Sequence, residues 1–242
     1  MVDRWIGALE ARHLRDFTFS EVVRALRALS ARYVERRRTI DAALDTKGKR
    51  AAFALFYGPL HFLLVRAIVR SLDATRVEQI VDLGCGTGAS GAAWALATTM
   101  PASVSGIDRH PWSVEEAAWT YRTLALRGRA RRGDIGDARP APKAAVLAAF
   151  AINELSAGDR TRALERMTRW AVSGHPILIV EPIARAVTPW WDEWSASFTR
   201  LGGRADEWRF DADLPELVAK LDEAAGLNHR TLTGKSLYVD LR

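Results

Sequence analysis

Cysteine occurs once in the 242 residues, at Cys85. A single thiol excludes an intrachain disulfide, a four-cysteine zinc site and a cysteine-held iron–sulfur cluster. No uninterrupted apolar run approaches the roughly 20 residues that span a bilayer. The longest candidate, Phe53 to Val65, is broken by Gly58-Pro59 and carries His61. The opening stretch MVDRWIGALEARHLRDF holds acidic residues and no apolar h-region, so a soluble, cytoplasmic protein without a secretory signal or membrane contact is expected. His61, His110 and His175 are scattered without metal-ligand spacing, no metal is expected, and no internal repeat is evident. What is present, 48% hydrophobic and 26% charged residues, is an ordinary globular composition. The length suits one large domain, or a medium one with an attachment.

The net charge of +6 is unevenly placed. Residues 1–75 carry 14 Lys and Arg against 8 Asp and Glu, whereas residues 76–242 carry 21 of each. A localised basic surface attracts phosphate-rich partners, so the arginine-rich residues 24–50 are a candidate RNA-binding segment. A base-composition bias toward arginine codons explains the same excess without a partner.

Residues 1–75 read as a helical N-terminal extension. Ser20 is placed to cap a helix reaching about Arg38, with Val22, Leu26, Leu29 and Tyr33 at helical spacing and Arg24, Arg27 and Arg36-Arg37-Arg38 on other faces. A Gly58-Pro59 stop separates the apolar segment Ala51–Tyr57 from a helix running from Pro59 to about Leu72. Residues 76–242 alternate β-branched runs with helical periods. Strands are expected at Gln79–Leu83, Ser103–Asp108, Ala145–Ile152 and Pro176–Val180, with a third short strand ending at Arg132-Gly133-Asp134-Ile135 and a last one over Ser236–Leu241. Helices are expected at Ala89–Met100, Ser113–Arg127, Asp159–Val172, Pro189–Leu201 and about Leu214–Ala225. This alternation predicts an α/β fold, a doubly wound and mostly parallel sheet.

The most informative stretch is VDLGCGTGASGAAWA, Val81 to Ala95. An apolar strand ends in Asp82, then Gly84, Gly86 and Gly88 alternate, then a helix of small residues begins. Such a loop lets a ligand approach the backbone and offers it the free N–H groups of a helix N-terminus. In a doubly wound sheet this first turn lies at the ligand-binding switch point. Gly84, Gly86 and Ala89 satisfy the dinucleotide spacing G-x-G-x-x-G/A. An acid about 20 residues further on, Asp108 after Val104-Ser105-Gly106-Ile107, is placed to accept from the ribose hydroxyls of a dinucleotide or of another nucleoside cofactor.

The segment Asp82-Leu83-Gly84-Cys85-Gly86-Thr87-Gly88 resembles more closely the D-x-G-x-G-x-G motif of class I S-adenosylmethionine-dependent methyltransferases. The resemblance covers residues 77 to about 182 and implies a Rossmann-like domain that binds S-adenosylmethionine. It implies that a carboxylate near the loop, Asp82, helps position the cofactor's ammonium group, with Gly84, Cys85, Gly86, Thr87 and Gly88 forming the cradle. Asp108 then holds the ribose and Arg109 lies near the adenosine. The resemblance further implies that Asp134, with Asp137 as the alternative, accepts from the adenine amino group, that Ile135 packs on the ring, and that Phe150 belongs to the same cofactor side. The order of basic helices, glycine loop, N-E-L and V-E-P also looks distantly like methyltransferase-like proteins associated with small ribosomal subunits, although their cysteine-rich metal segment is missing.

Methyl transfer is an in-line displacement that needs alignment, exclusion of water and in some cases a proton acceptor. The family likeness turns the end of the fourth strand toward the methyl group, so Asn153 and Glu154 are catalytic candidates, joined by Glu181 at the end of the fifth. Glu154 as the cap of the following turn is the alternative. The amino-methylating N/D-P-P-Y/F signature is absent, and the lone cysteine in the cofactor loop excludes covalent attack on cytosine C5. Trp190, Trp194 and Phe198 form an i, i+4, i+8 stripe suited to a core. Trp191 points off that stripe and is a candidate for an aromatic wall on the substrate side, and Tyr57 and His61 are candidates to close the pocket, a core role being the alternative for His61. The expected function is methyl transfer to a small molecule or peptide. RNA methylation, or a cofactor-binding ribosome assembly factor without turnover, are the alternatives.

Overall fold

A computed structural model describes residues 1–35 and 44–242, and the side chains of residues 1–31 and 44–242. Arg36-Arg37-Arg38 and the Tyr33 side chain lie outside the described set. Helices α1 (Val2–His13), α2 (Phe19–Glu35), α3 (Lys47–Ala52) and α4 (Gly58–Ser71) precede β1 (Gln79–Leu83). There follow α5 (Ala89–Ala97), β2 (Ser103–Asp108), α6 (Pro111–Thr123), β3 (Gly128–Arg132), β4 (Ala145–Ala149), α7 (Ala157–Val172) and β5 (Ile177–Glu181). The chain continues through α8 (Trp191–Arg200), β6 (Arg204–Asp211) and α9 (Glu216–Ala225) to β7 (Thr231–Val239).

The seven strands form one sheet in the order β3-β2-β1-β4-β5-β7-β6. Strands β1 to β5 pair in parallel; α5, α6 and α7 make the β1–β2, β2–β3 and β4–β5 connections, and only a short 3-10 turn (Ile135–Asp137) lies between β3 and β4. β7 runs antiparallel to β5, and β6 to β7. The order reverses between β1 and β4, which places the glycine loop after β1 at the switch point. β4 and β5 are buried along their whole length, which explains why they read as unbroken apolar runs.

Several element ends differ from the sequence reading. The first α2 turn is capped by Thr18, not Ser20: Thr18 Oγ1 accepts from the Glu21 N–H at 3.3 Å, and Glu21 accepts from the Thr18 N–H at 2.8 Å, a reciprocal capping box. Gly58-Pro59 does not stop the helix. Residues Phe53–Tyr57 form a π-helical turn in which the Gly58 N–H donates to the Phe53 carbonyl, so the helix runs from Lys47 to Ser71. That wider turn carries the chain past the proline, which needs no N–H partner. The combined helix is long and apolar enough to cross a membrane by length and composition, but its apolar side chains are mostly buried in the molecule.

β4 stops at Ala149 because Phe150 takes a positive φ of 57°. α5 ends at Ala97 because the Thr98 hydroxyl bonds the Ala95 and Met100 carbonyls and turns the chain. β6 was not foreseen as a strand, and β7 begins at Thr231 rather than Ser236. Within β7, Gly234 fits because a Cβ there would meet Leu64 Cδ2 at 2.9 Å.

One buried cluster joins Trp5, Leu26 and Phe62 of the N-terminal helices to Leu147 and Val180 of the sheet. The opposite face of the sheet buries Trp190, Trp194 and Phe198, so that stripe is core. Fully buried Glu116 on α6 accepts from Arg12 at 3.2 Å and contacts His13 Nε2 at 2.9 Å, which ties α1 to the sheet's flanking layer.

Candidate active site

The parallel strands deliver their C-terminal ends to one edge, and the helix 47–71 covers that edge. Between them lies a cleft of about 430 Å³. Its floor is the loop Gly84–Thr87 with Ala89, Ser90 and Asp108. Its far end is formed by Phe150, Asn153, Glu154 and Pro182, and its roof by Leu44, Phe53, Tyr57, His61 and the start of β7.

The loop geometry follows from its glycines. Gly86 has φ +51°, and a Cβ built there meets nothing within 4 Å, so the side facing the cleft is clear for a ligand. Gly88 has φ +76°, and a Cβ there would meet the Ala117 Cα and Tyr121 at 2.9 Å, so this glycine is required by packing of α6 against the loop. Asp108, at the tip of β2, fixes the loop from below. Its Oδ2 accepts from the Gly86 N–H at 2.9 Å and its Oδ1 from the His110 N–H at 2.8 Å. Each carboxylate oxygen retains a lone pair for a second donor, which suits a pair of vicinal hydroxyls in the cleft. Cys85 is buried in the loop, where burial pushes its thiol up and leaves it unreactive.

At the far end, Phe150 holds the backbone conformation that bulky residues rarely adopt. Its N–H donates to the Val180 carbonyl at 2.8 Å, and its ring stacks on His61 with centroids 3.9 Å apart. Phe53 and Tyr57 stand at 6.0 and 6.2 Å from the same imidazole. Burial among these rings pushes the His61 pKa down to about 3, so the imidazole is neutral. Burial also pushes the Tyr57 hydroxyl up to about 12, against a smaller opposing effect from a bond to Ser30. The wall of the cleft is therefore aromatic and uncharged here.

Two acids predicted for the site stand behind it. Asp82 is fully buried under α5, with Oδ2 accepting from the Gly91 N–H at 3.0 Å, Oδ1 unpartnered, and its pKa pushed up to about 7 by burial. Glu181 is fully buried beneath the end of β4; its Oε1 accepts from the N–H groups of Ile152 at 2.9 Å and Asn153 at 3.3 Å. Burial raises Glu181 to about 8, the backbone donors and Lys235 opposing. It shapes the turn that presents Asn153 and Glu154 and does not itself line the cleft.

The structure thus brings Gly84, Cys85, Gly86, Thr87, Asp108, Phe150, Asn153, Glu154, Tyr57 and His61 around one cavity. It does not bring Arg109, Asp134, Ile135 or Trp191 there. Arg109 is exposed. Asp134 caps a short 3-10 turn by accepting from the Gly136 N–H at 2.8 Å, and with Ile135 it lines a separate small recess against α7. Trp191 lies under Lys235, whose Nζ is 4.3 Å from the ring centroid. Ser156, not Glu154, caps the following helix. Sequence reasoning missed Ser113, Leu44 and Thr231–Thr233, and also His229, which lines the cleft with its ring held by Asp222. The spacing Asp222…His229 across the turn at Gly226 is a weak signal, since nothing in the tail identified its place in the sheet.

Residues 80–174, under half of the chain, match the family described as "Methyltransferase domain". No curated protein sequence matches the chain. Among solved structures, the mitomycin 7-O-methyltransferase MmcR is similar at TM-score 0.54 and 16% identity, covering 90% of this chain and 67% of that one. A SAM dependent methyltransferase from Aquifex aeolicus gives TM-score 0.52 at 14% identity over 76% of this chain and 93% of that one. The plantazolicin methyltransferase BpumL gives 0.50 at 13% identity over 92% and 97%. At these identities the likeness is one of fold.

Proposed function

We propose that the chain is an S-adenosylmethionine-dependent methyltransferase, in keeping with the match of residues 80–174 to a methyltransferase domain, and that it methylates a small, flat, largely apolar acceptor held against Phe150 and Tyr57. The observation that carries this reading is the aromatic end of the cleft. A stacked His61–Phe150 pair, with Phe53 and Tyr57 beside it, offers ring faces and no free charge, the lining that a planar ligand takes. The cofactor fits the other end. Open Gly86 lets a ligand lie against the backbone, and Asp108 keeps lone pairs for ribose hydroxyls. Bound there, S-adenosylmethionine supplies a methyl group on a cationic sulfur.

This chain's residues do the rest by position. Asp108 orients the nucleoside, Phe150 and Tyr57 hold the acceptor, and Asn153 and Glu154, at the end of β4, take the polar group of the acceptor. Glu181 acts on them indirectly through the backbone it holds. The Arg-rich segment supports an RNA acceptor less well. Of its described members, Arg24 and Lys47 are exposed, but Arg27 donates to the Ala224 carbonyl at 2.5 Å, Lys49 pairs with Asp45 at 2.7 Å, and Arg50 donates to the Leu44 carbonyl at 2.7 Å.

The test is incubation with methyl-labelled cofactor and separated pools of small metabolites, peptides and RNA. Label is expected in the small-molecule pool, at a rate that falls when Tyr57 is changed to Ala. Label confined to RNA overturns the proposal.

A further inference from the structure

We propose that His229 is the base that removes the proton from an acceptor hydroxyl, which makes a phenol or another aromatic hydroxyl the acceptor class. The proposal rests on the methyl-transfer reading above. β7 runs antiparallel to β5, so its first residues reach the same end of the sheet as the glycine loop, and His229 lies two residues before it in the cleft wall. Asp222, near the end of α9 and 5% exposed, grips the histidine twice. Its Oδ2 accepts from the His229 N–H at 2.7 Å, and its Oδ1 binds ring Nδ1. Gly226 at φ +77° and Asn228 at φ +56° turn the chain so that the ring folds back on the carboxylate. The ring also meets Phe56 edge-on with centroids 5.7 Å apart.

A carboxylate on Nδ1 fixes the imidazole's tautomer, with the proton on Nδ1 and a lone pair on Nε2 for a molecule in the cleft. The other imidazole of the cleft is unsuited to the task, because His61 lies flat on Phe150 in surroundings that disfavour its protonated form. In the step proposed, the hydroxyl proton passes to His229 Nε2 and an oxygen lone pair forms the new O–CH3 bond. The S–CH3 bond breaks with its electron pair left on sulfur. One positive charge thus moves from sulfonium to imidazolium, where Asp222 balances it, and the proton leaves to water with the product. Asp222 is a positioning residue; His229 touches the acceptor.

The probe is 4-nitrophenol, added in mildly acidic solution to protein saturated with S-adenosylhomocysteine, so that no turnover is needed. Proton transfer to His229 produces the visible 4-nitrophenolate band on binding. The band is expected in the wild type, lost in His229→Gln and weakened in Asp222→Asn, with methyl transfer to the same phenol about 100-fold slower in His229→Gln. Calorimetric binding of S-adenosylhomocysteine unchanged in both variants shows that the fold and the cofactor site persist. Absence of the band in the wild type, or an equal band in His229→Gln, overturns the base. Absence of S-adenosylhomocysteine binding in the wild type overturns the methyltransferase reading beneath it.

Discussion

Three residues, Phe150, Gly86 and Gly88, show how local chemistry sets the site. Phe150 keeps a left-handed backbone that costs an L-residue about 1–2 kcal/mol, and the His61 stack is its compensation. Phe150→Ala removes the stack and keeps the strain, whereas Phe150→Gly removes both. The glycine variant is therefore expected to be the more stable of the two by about 1 kcal/mol in urea denaturation. Equal stabilities would show that the backbone is not strained there. Gly86 and Gly88 separate binding from folding. Gly86→Ala places a methyl in open space and is expected to weaken cofactor binding with a modest stability loss; Gly88→Ala collides with Ala117 and Tyr121 and is expected to lower the melting temperature. The glycines were legible from their spacing alone. Phe150's conformation was not, because nothing in an apolar run marks where the strand must turn.

Glu181 gives a pH prediction. Burial raises it from an ordinary 4.5 to about 8, so across that window the unfolded chain loses this proton while the folded chain keeps it. Its contribution to stability is present below about 4.5 and lost as pH rises through 8. Glu181→Gln keeps an acceptor for the Ile152 and Asn153 N–H groups and cannot ionise. The wild type is expected to lose stability relative to this variant, by several kcal/mol, as pH rises from 5 to 8. A constant difference, measured by urea titration at each pH, would contradict the assignment.

Among the elements, the central parallel strands β1, β4 and β5 were the most legible, because strands buried on both faces write their burial into the sequence as apolar runs. β6 was hidden, since this edge strand exposes or half-buries every residue and carries charges at five of its eight positions, Arg204, Asp206, Glu207, Arg209 and Asp211. The π-turn at Phe53–Tyr57 was also hidden. Gly58-Pro59 reads as a break, and the helix avoids it by widening one turn, which points Phe53 and Tyr57 into the cleft. The attachment of α1 has a direct test. Glu116→Ala removes the fully buried acceptor of Arg12 and His13. It is expected to cost about 2–4 kcal/mol and to speed amide exchange across α1. Unchanged exchange there would show that apolar packing alone holds the helix.

For the molecule as a whole, the sequence divides into a basic helical part and an α/β part, and the division of charge was readable directly. What could not be read was that the two share one core. Trp5, Leu26 and Phe62 lie in the same buried cluster as Leu147 and Val180. A single cooperative calorimetric transition is therefore expected, and two separated transitions would show that the helices fold apart from the sheet. Nor could the tail be placed. β7 inserts between β5 and β6, and its start brings His229 to the cleft.

The cleft itself is tested most directly by calorimetric titration of the chain with S-adenosylhomocysteine and, separately, with NAD. Saturable binding of S-adenosylhomocysteine is predicted, weakened by about 1–3 kcal/mol in Asp108→Ala, with no binding of NAD. Preferential binding of the dinucleotide, or an affinity for S-adenosylhomocysteine that Asp108→Ala leaves unchanged, would contradict the site as described.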